Sequence, residues 1–574
     1  MARELKLAIG QYSDRGRKDI NQDFHGAMIP LQPLLGLKGI AVGLADGISS
    51  SAVSRIASEA AIAGFLSDYY CTPESWSVKT SAQRVIDATN SWLHAQTMRG
   101  NHAYDKDKGY VCTLDVMICK SRAAHIFHIG DARVYRLSGA GLEQLTTDHR
   151  VVISSEESYL GRALGANPQV EIDYRVVPLD IGDIFVLATD GVYEHCDASF
   201  VAGVLDQDLD TAAKAIAEHA YNRGSKDNLT VQIVRIDDLP HGDADEILGQ
   251  AAELPLPPLL EPRAVFDGYD IVRPIHASSR SHIYLAADKD SGSLVALKIP
   301  SIDLRGDPDY RRRFLMEEWI ARRIDNAHVL KAHRSSRDKK FLYTVAEFVE
   351  GQTLTQWMID NPRPDLEIVR GIVEQIAAGL RAFHRLEMVH QDLRPENIMI
   401  DRTGTAKIID FGSTKITGVI EAAPSIGHDG VLGTVQYTAP EYLLGEGGSP
   451  RADIFSIGVI AYQMLTGKLP YGAQMAQART RAQQRKIAYG PAPDANRAIP
   501  AWMDAALRKS VHPDPARRYE ELSEFTFDLR HPNRAFLNAE PAPLIERNPL
   551  LFWQVLTAIL VCIIMLLLIH PIPH

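Results

Sequence analysis

A proline-rich break limits what this chain can fold into. Residues 239–264 read LPHGDADEILGQAAELPLPPLLEPRA, and prolines at that density keep a segment extended and semi-rigid. A second tether spans 532–549. Ahead of a C-terminal apolar segment this leaves a block over 1–238 and a block over 265–531, each long enough to enclose its own core. The composition suits globular blocks: 45% hydrophobic and 23% charged residues exclude a disordered chain, a collagen and a coiled-coil rod. With 61 basic against 72 acidic side chains the formal charge is −11, which argues against a nucleic-acid binder. Five cysteines without a CxxC pair exclude a disulfide scaffold and point to a reducing environment.

The two ends suggest a location. The start, MARELKLAIGQYSD, has no apolar core of a secretory signal. Leu550–Ile569 reads LLFWQVLTAILVCIIMLLLI, twenty residues without a charge. As a helix this run spans about 30 Å, the thickness of a bilayer's hydrocarbon. The alternative is a buried helix in a large core. Arg530, Arg534 and Arg547 precede the run and no Lys or Arg follows. The expectation is one transmembrane helix over 550–570, in the inner (cytoplasmic) membrane, with both blocks on the cytoplasmic side.

In the first block, Ala123–Gly130, Arg133–Leu137, Ile184–Ala188 and Thr230–Ile236 read as strands. Ser51–Tyr69 reads as a helix whose apolar stripe is Val53, Ile56, Ala57, Ala60, Ala61, Gly64 and Phe65. Asp23, Asp46, Asp131, Asp190 and Asp227 fall mostly at strand ends, two of them before a glycine. A single Asp-Gly is usually just a turn. Five such carboxylates in one block suit a hard divalent cation, which takes oxygen ligands and keeps waters. The second block opens with strand-like segments and turns helical from about Asp365, an α+β order in two lobes.

The ordered set SDRGRKDINQD, ADG, HIGDARVYRL, LTTDH, LGRALG, LATDGVYE and KDNLTVQIV resembles the type 2C metal-dependent protein phosphatases. The resemblance implies a β-sandwich flanked by helices with two or three Mn²⁺ or Mg²⁺ ions at its edge. It gives Asp46 a bridging role with help from the Gly47 carbonyl, places Asp190 and Asp227 on the second ion and Asp23 in the outer shell, and pairs Asp131 with Asp190 at a weaker third site. Lys18, with Arg17 beside it, stands where the family often has a phosphate-gripping arginine. Ile48-Ser49-Ser50 follow Asp46-Gly47 where relatives carry further glycines.

The second block holds Val295-Ala296-Leu297-Lys298, then Val389-His390-Gln391-Asp392-Leu393-Arg394-Pro395-Glu396-Asn397, then Asp410-Phe411-Gly412, Gly433-Thr434 and Ala439-Pro440-Glu441. This order and spacing resemble the signature of Ser/Thr protein kinases. By that resemblance Lys298 holds the ATP phosphates and pairs with Glu317, with Glu318 as the alternative. Asp392 takes the proton of the substrate hydroxyl, while Asn397 and Asp410 hold Mg²⁺. Ile275, Ile283, Ala296, Glu347 and Val349 line the nucleotide, Ala346 is a small gatekeeper, Glu441 pairs with Arg518, and Asp453 steadies the catalytic loop. Three departures stand out: His276, Ser278 and Ser281 occupy the places of phosphate-loop glycines, Gln391 that of an arginine, and Arg394 that of a lysine. Ser413, Thr414, Thr417, Ser425, Thr434 and Thr438 are candidate autophosphorylation sites.

The expectation is thus a multidomain α+β chain: a type 2C phosphatase sandwich, a bilobal kinase fold and a single transmembrane helix. Its substrates would be proteins and phosphoproteins, its own chain included, with ATP as donor and no nucleic acid. The competing expectation is an active phosphatase governed by a pseudokinase scaffold that binds a nucleotide or a partner.

Overall fold

The computed structural model describes residues 4–569 except 101–104, 106–107, 140, 153–157, 241–253, 279–280, 302–306, 335–336, 423–435 and 538–548. Gly433, Ser425, Thr434 and the terminal His570–His574 lie outside the described residues.

The first block carries strands β1 (Lys6–Asp14), β2 (Phe24–Met28), β3 (Ile40–Ala45), β4 (Leu114–Lys120), β5 (Ala123–Ile129), β6 (Arg133–Ser138), β7 (Gly141–Gln144), β8 (Arg150–Val152), β9 (Ser158–Leu160), β10 (Asp173–Pro178), β11 (Ile184–Ala188) and β12 (Leu229–Asp238). Its helices are α1 (Leu34–Lys38), α2 (Ser54–Cys71), α3 (Val78–Arg99), α4 (Asp190–Tyr193), α5 (Ala198–Val204) and α6 (Leu209–Asn222). Two antiparallel sheets, ordered β1-β12-β11-β6-β7 and β10-β5-β4-β3-β2, form the sandwich. One core lies between the sheets around Val42, Phe185 and Val234. A second lies beneath α2 and α3, and a third beneath α6. β3 and β4 are buried on both faces, which accounts for the apolar runs Ile40–Ala45 and Val116–Cys119.

The α2 stripe is rotated from its predicted position. Ile56 is 49% exposed, while Ser54 and Ser58 face inward with Ala57, Ala61, Ile62 and Phe65. The buried serines have backbone partners: Ser58 Oγ donates to Gln22 O at 2.5 Å and Ser54 Oγ to Ser51 O at 2.9 Å. Local hydrogen bonding therefore lets polar residues replace an apolar one on the inner face.

The second block opens with a five-stranded antiparallel sheet, β13 (Val265–Phe266), β14 (Tyr269–Ala277), β15 (Ser281–Asp288), β16 (Leu294–Pro300) and β17 (Thr344–Glu347), in that order. α7 (Pro308–Ala321) lies with this lobe, starting on an Asp307 carboxylate that accepts from Tyr310 N at 3.0 Å. Helix therefore enters this block well before Asp365. The second lobe is built on α8 (Leu354–Asp360), α9 (Leu366–Arg385), α10 (Thr417–Ala422) and α11 (Pro450–Thr466). α9 begins on the Asp365 cap, and α11 is buried on nearly every side.

The expected linker has neither helix nor strand where it is described, but it is not a free spacer. Leu254 and Leu256 pack against Tyr310, Phe314, Leu315 and Leu342. Leu342 N donates to Pro255 O at 2.9 Å, and Arg311 Nη2 to Leu254 O at 2.8 Å. At the C-terminus a helix spans Pro549–Ile569. Several of its side chains fall outside the described residues; among the described residues, no helix is long and apolar enough to cross a membrane.

Candidate active sites

The first site lies at one edge of the sandwich, where strand ends from both sheets deliver aspartates. Asp46 follows β3, Asp190 follows β11, Asp227 precedes β12, Asp23 precedes β2, and Asp131 follows β5. Asp46 is held by its main chain: its N donates to Thr113 Oγ1 at 2.8 Å, and its O accepts from Thr113 N at 2.8 Å. The two glycines of the Asp-Gly pairs are there for close approach. A Cβ on Gly47 would lie 2.7 Å from Gln22 O. One on Gly191 would lie 2.1 Å from Asn228 O and 3.0 Å from the Asp227 Cβ.

Three of these carboxylates are raised by burial and by one another. Burial first, then the charges of Asp23, Asp190, Asp227 and Asp131, push Asp46 well above the carboxylate range. Burial with Asp131 and Asp227 lifts Asp190 to about 7. Burial lifts Asp23 to about 6, against the hydrogen bonds it receives. Thr189 Oγ1 donates to Asp23 Oδ2 at 3.1 Å, while Oδ1 is buried without a partner. Among the described residues, no group of three or more Asp, Glu, His or Cys is set out as a ready-made metal centre. The orphaned oxygen and the mutual repulsion nonetheless show a demand for positive charge, and an all-oxygen donor set fits a hard divalent cation.

The chain's own cations meet part of that demand. Lys18 forms an ion pair with Asp227, and its Nζ donates to Ser49 Oγ at 2.5 Å. Arg150 lies where the sequence suggested a third ion. It reaches Asp131 Oδ2 at 2.6 Å, Asp190 Oδ2 at 3.0 Å and Glu194 Oε1 at 2.8 Å, so a guanidinium separates Asp131 from Asp190. Sequence reasoning does not single out Arg150; its signal is a basic residue directly after Asp148-His149. Arg17 turns away from the acids. Its guanidinium donates to Ser225 O and Tyr221 O at 3.1 Å each and stacks over the Tyr221 ring, so its role is scaffold.

The second site lies between the two lobes. Lys298 Nζ meets both Glu317 oxygens at 2.9 and 2.6 Å. Glu318 instead pairs with Arg322 and Lys339. Burial opposes the Lys298 charge, but Glu317 and Asp410 outweigh it and hold the ammonium protonated. Burial likewise opposes the Asp410 charge, which Lys298 and the Gly412 amide keep below the usual carboxylate range. Asn397 Nδ2 donates to Asp392 O at 2.9 Å, and Arg394 Nε is 3.8 Å from Asp392 Oδ2.

Asp453 fixes the loop that carries Asp392. Its carboxylate accepts from His390 N at 2.9 Å and Gln391 N at 3.1 Å, and meets His384 Nε2 at 2.9 Å. Gln391 is thereby held at φ +67°, a region a side chain seldom adopts. The Glu441–Arg518 pair is buried, with contacts of 2.8 and 2.6 Å.

The expected nucleotide-lining residues are spread along the first lobe. Ile283 faces Lys298 across β15–β16, and Ala296 faces Ala346 across β16–β17. Val349 is buried, while Ile275 is 40% exposed on β14. The Glu347 side chain is engaged by Lys407 at 2.8 Å, and its amide donates to Lys331 O at 3.0 Å. Where glycines stand in the family, Ser278 and Ser281 bond to each other. Ser278 N donates to Ser281 O at 3.0 Å, and Ser281 N donates to Ser278 Oγ at 3.1 Å.

Comparison with known proteins gives these sites relatives. The protein kinase domain family matches residues 269–526, and the protein phosphatase 2C family matches residues 11–230. Serine/threonine-protein kinase PrkC of Bacillus subtilis is 29% identical over 270 residues, 46% of this chain and 40% of that protein. Serine/threonine-protein kinase PknL of Mycobacterium bovis is 31% identical over 273 residues, 47% of this chain and 67% of that protein. Among solved structures, the catalytic domain of the serine threonine protein phosphatase PstP in complex with 2 manganese ions is 25% identical. It has a TM-score of 0.35 and is covered over 41% of this chain and 100% of its own. The Mycobacterium tuberculosis PknI kinase domain is 23% identical at a TM-score of 0.37, over 47% and 98%. This polypeptide belongs to the serine/threonine protein kinase family through residues 269–526 and carries a protein phosphatase 2C domain ahead of it.

Proposed function

We propose that the chain is a membrane-tethered, bifunctional enzyme, a Ser/Thr protein kinase and a metal-dependent phosphoprotein phosphatase. The supporting observation is that one polypeptide joins a closed Lys298–Glu317 pair beside Asp410 to a nest of aspartates whose burial and mutual repulsion centre on Asp46.

In the kinase, Lys298 binds the α- and β-phosphates of ATP and Glu317 keeps it in place. Asp392 accepts the proton of the protein hydroxyl as that oxygen attacks the γ-phosphorus. Asn397 and Asp410 supply oxygens for Mg²⁺, and Arg394 adds positive charge beside Asp392. In the phosphatase, Asp46, Asp190, Asp227 and the Gly47 carbonyl would hold Mn²⁺ or Mg²⁺, with Asp23 behind them. When bound, such ions supply an acidified water as nucleophile and neutralise phosphate oxygens. Lys18 is placed to meet a phosphate oxygen as a point charge. No side-chain nucleophile is needed, so no phosphoenzyme forms.

The tether rests on the charge-free run at 550–569 and on the arginines that precede it. It places both blocks at the cytoplasmic face of the inner membrane and raises the effective concentration of each for the other's products.

The second reading, a nucleotide-binding scaffold that controls the phosphatase, is favoured by the bonded Ser278–Ser281 pair, where side chains stand in place of a glycine cradle. One experiment separates the two. Full-length Asp46→Ala protein in detergent is incubated with Mg²⁺-ATP, and its intact mass is compared with the Asp46→Ala, Asp392→Ala double variant. The kinase reading expects mass gained in phosphoryl increments and lost with Asp392→Ala. No gain together with nucleotide-dependent phosphatase turnover in the wild type would install the scaffold reading.

A further inference from the structure

The two blocks share an interface that involves none of the residues assigned to either reaction, and it grips the parts of the kinase that must be in place for turnover. The first block contributes the α2–α3 connection, the start of α3 and the end of β4. Glu387, just past α9, accepts from Ser77 N at 2.6 Å and Thr80 Oγ1 at 2.6 Å. Glu421 of α10 accepts from Val78 N at 2.9 Å and pairs with Lys120 at 3.2 Å. Lys120 is 1% exposed, and its Nζ also donates to Gly418 O at 2.6 Å. Trp76 Nε1 donates to Arg385 O at 2.7 Å. Leu37 of α1 is buried in one cluster with Val419. The approach is close enough that a Cβ on Gly418 would lie 2.6 Å from Trp76 O and 2.8 Å from Ser75 O.

α10 begins five residues after Gly412, so the interface holds the start of the segment that follows the Mg²⁺-binding Asp410. A second grip falls on α7, which carries Glu317. Glu74 pairs with Arg323 just past the C-terminal end of α7, and that guanidinium stacks on Trp319 at 3.7 Å. At the other end, Leu254 and Leu256, which follow the first block in the chain, cover Tyr310 and Phe314. The helix is thus held from both ends by residues outside the kinase block while the Lys298–Glu317 pair is closed.

We propose that the phosphatase block is a built-in brace for the kinase: docked through Glu74–Thr80 and Lys120, it stabilises the closed Lys298–Glu317 arrangement, and the kinase turns over only while docked. The inference rests on the reading of the second block as a live kinase. Docking that favours one arrangement of a two-state element is in turn favoured by whatever else stabilises that arrangement.

The test uses the full-length chain in detergent on the Asp46→Ala background, with Trp76→Ala, Glu74→Arg, Arg323→Glu and the Glu74→Arg, Arg323→Glu charge swap. Two quantities are read: the initial rate of phosphate incorporation, and amide hydrogen exchange over Lys415–Ala422. The single variants should lose roughly 10-fold in rate, within the ordinary range of coupling between sites, and exchange faster. The charge swap should recover both, which a merely misfolded variant would not do. Turnover of p-nitrophenyl phosphate by the same variants without Asp46→Ala should be unchanged. Faster exchange with rates equal to the parent would overturn the brace, and a rise in rate would replace it with a restraint. A parent that gains no phosphate at all refutes the kinase reading itself. That outcome is distinct from failure of the brace, in which parent and variants are equally active.

Discussion

At the scale of single residues, the aspartates of the first block set a pH dependence whose sign can be worked out. Asp23, Asp46 and Asp190 are raised in the folded, metal-free protein, Asp23 to about 6 and Asp190 to about 7, from a value near 4 when unfolded. Between those limits the folded state binds more protons than the unfolded state, so stability falls as pH rises. The melting temperature of the first block, freed of metal, should therefore drop between about pH 5 and pH 7.5, and Mn²⁺ should reverse most of the drop. A metal-free melting temperature that climbs across that interval would refute the account. The acids themselves were legible because Asp-Gly pairs and strand ends mark them in the sequence. The roles of Arg150 and Arg17 were not, because a guanidinium's partners are set by the fold: Arg150 meets Asp131 and Asp190, and Arg17 meets Tyr221 and Ser225.

At the scale of elements, the strands and the α2 segment could be read from apolar patterning, whereas the face α2 buries was misplaced by the inward serines. Close packing between elements was hidden in glycines that look like ordinary turns. Gly191 is the clearest case, since it lets the Asp190 turn lie against Asp227 and Asn228. Gly191→Ala has no room without a shift of that turn, and the shift would move apart the two carboxylates that the proposed function assigns to one cation. Phosphatase turnover should fall by about 10²-fold with a melting temperature lowered by only a few degrees. Activity near wild type would show that the turn yields without moving the acids. The loop under Asp453 carries a similar lesson: the sequence marks Asp453 as buried scaffold, but only the fold shows that it holds Gln391 in a left-handed conformation.

For the whole molecule, two folded blocks with proline-rich flanks were evident from composition, but their union was not. Nothing local announces that Glu387 and Glu421 will cap α3, because such contacts follow from surface shape and charge, which no periodicity encodes. The segment before residue 265 shows the same limit, since Leu254 and Leu256 read as linker yet complete the outer wall of α7. That wall decides how this protein can be cut into pieces. An expressed fragment begun at 265 would surface Tyr310, Phe314 and Leu342 as a sticky apolar patch, and should aggregate on concentration by light scattering. One begun at 253 should stay monodisperse, and equal behaviour of the two would argue against the contact. For anyone preparing the second block alone for crystals, the fragment has to start at 253, upstream of residue 269 where similarity to other kinases begins.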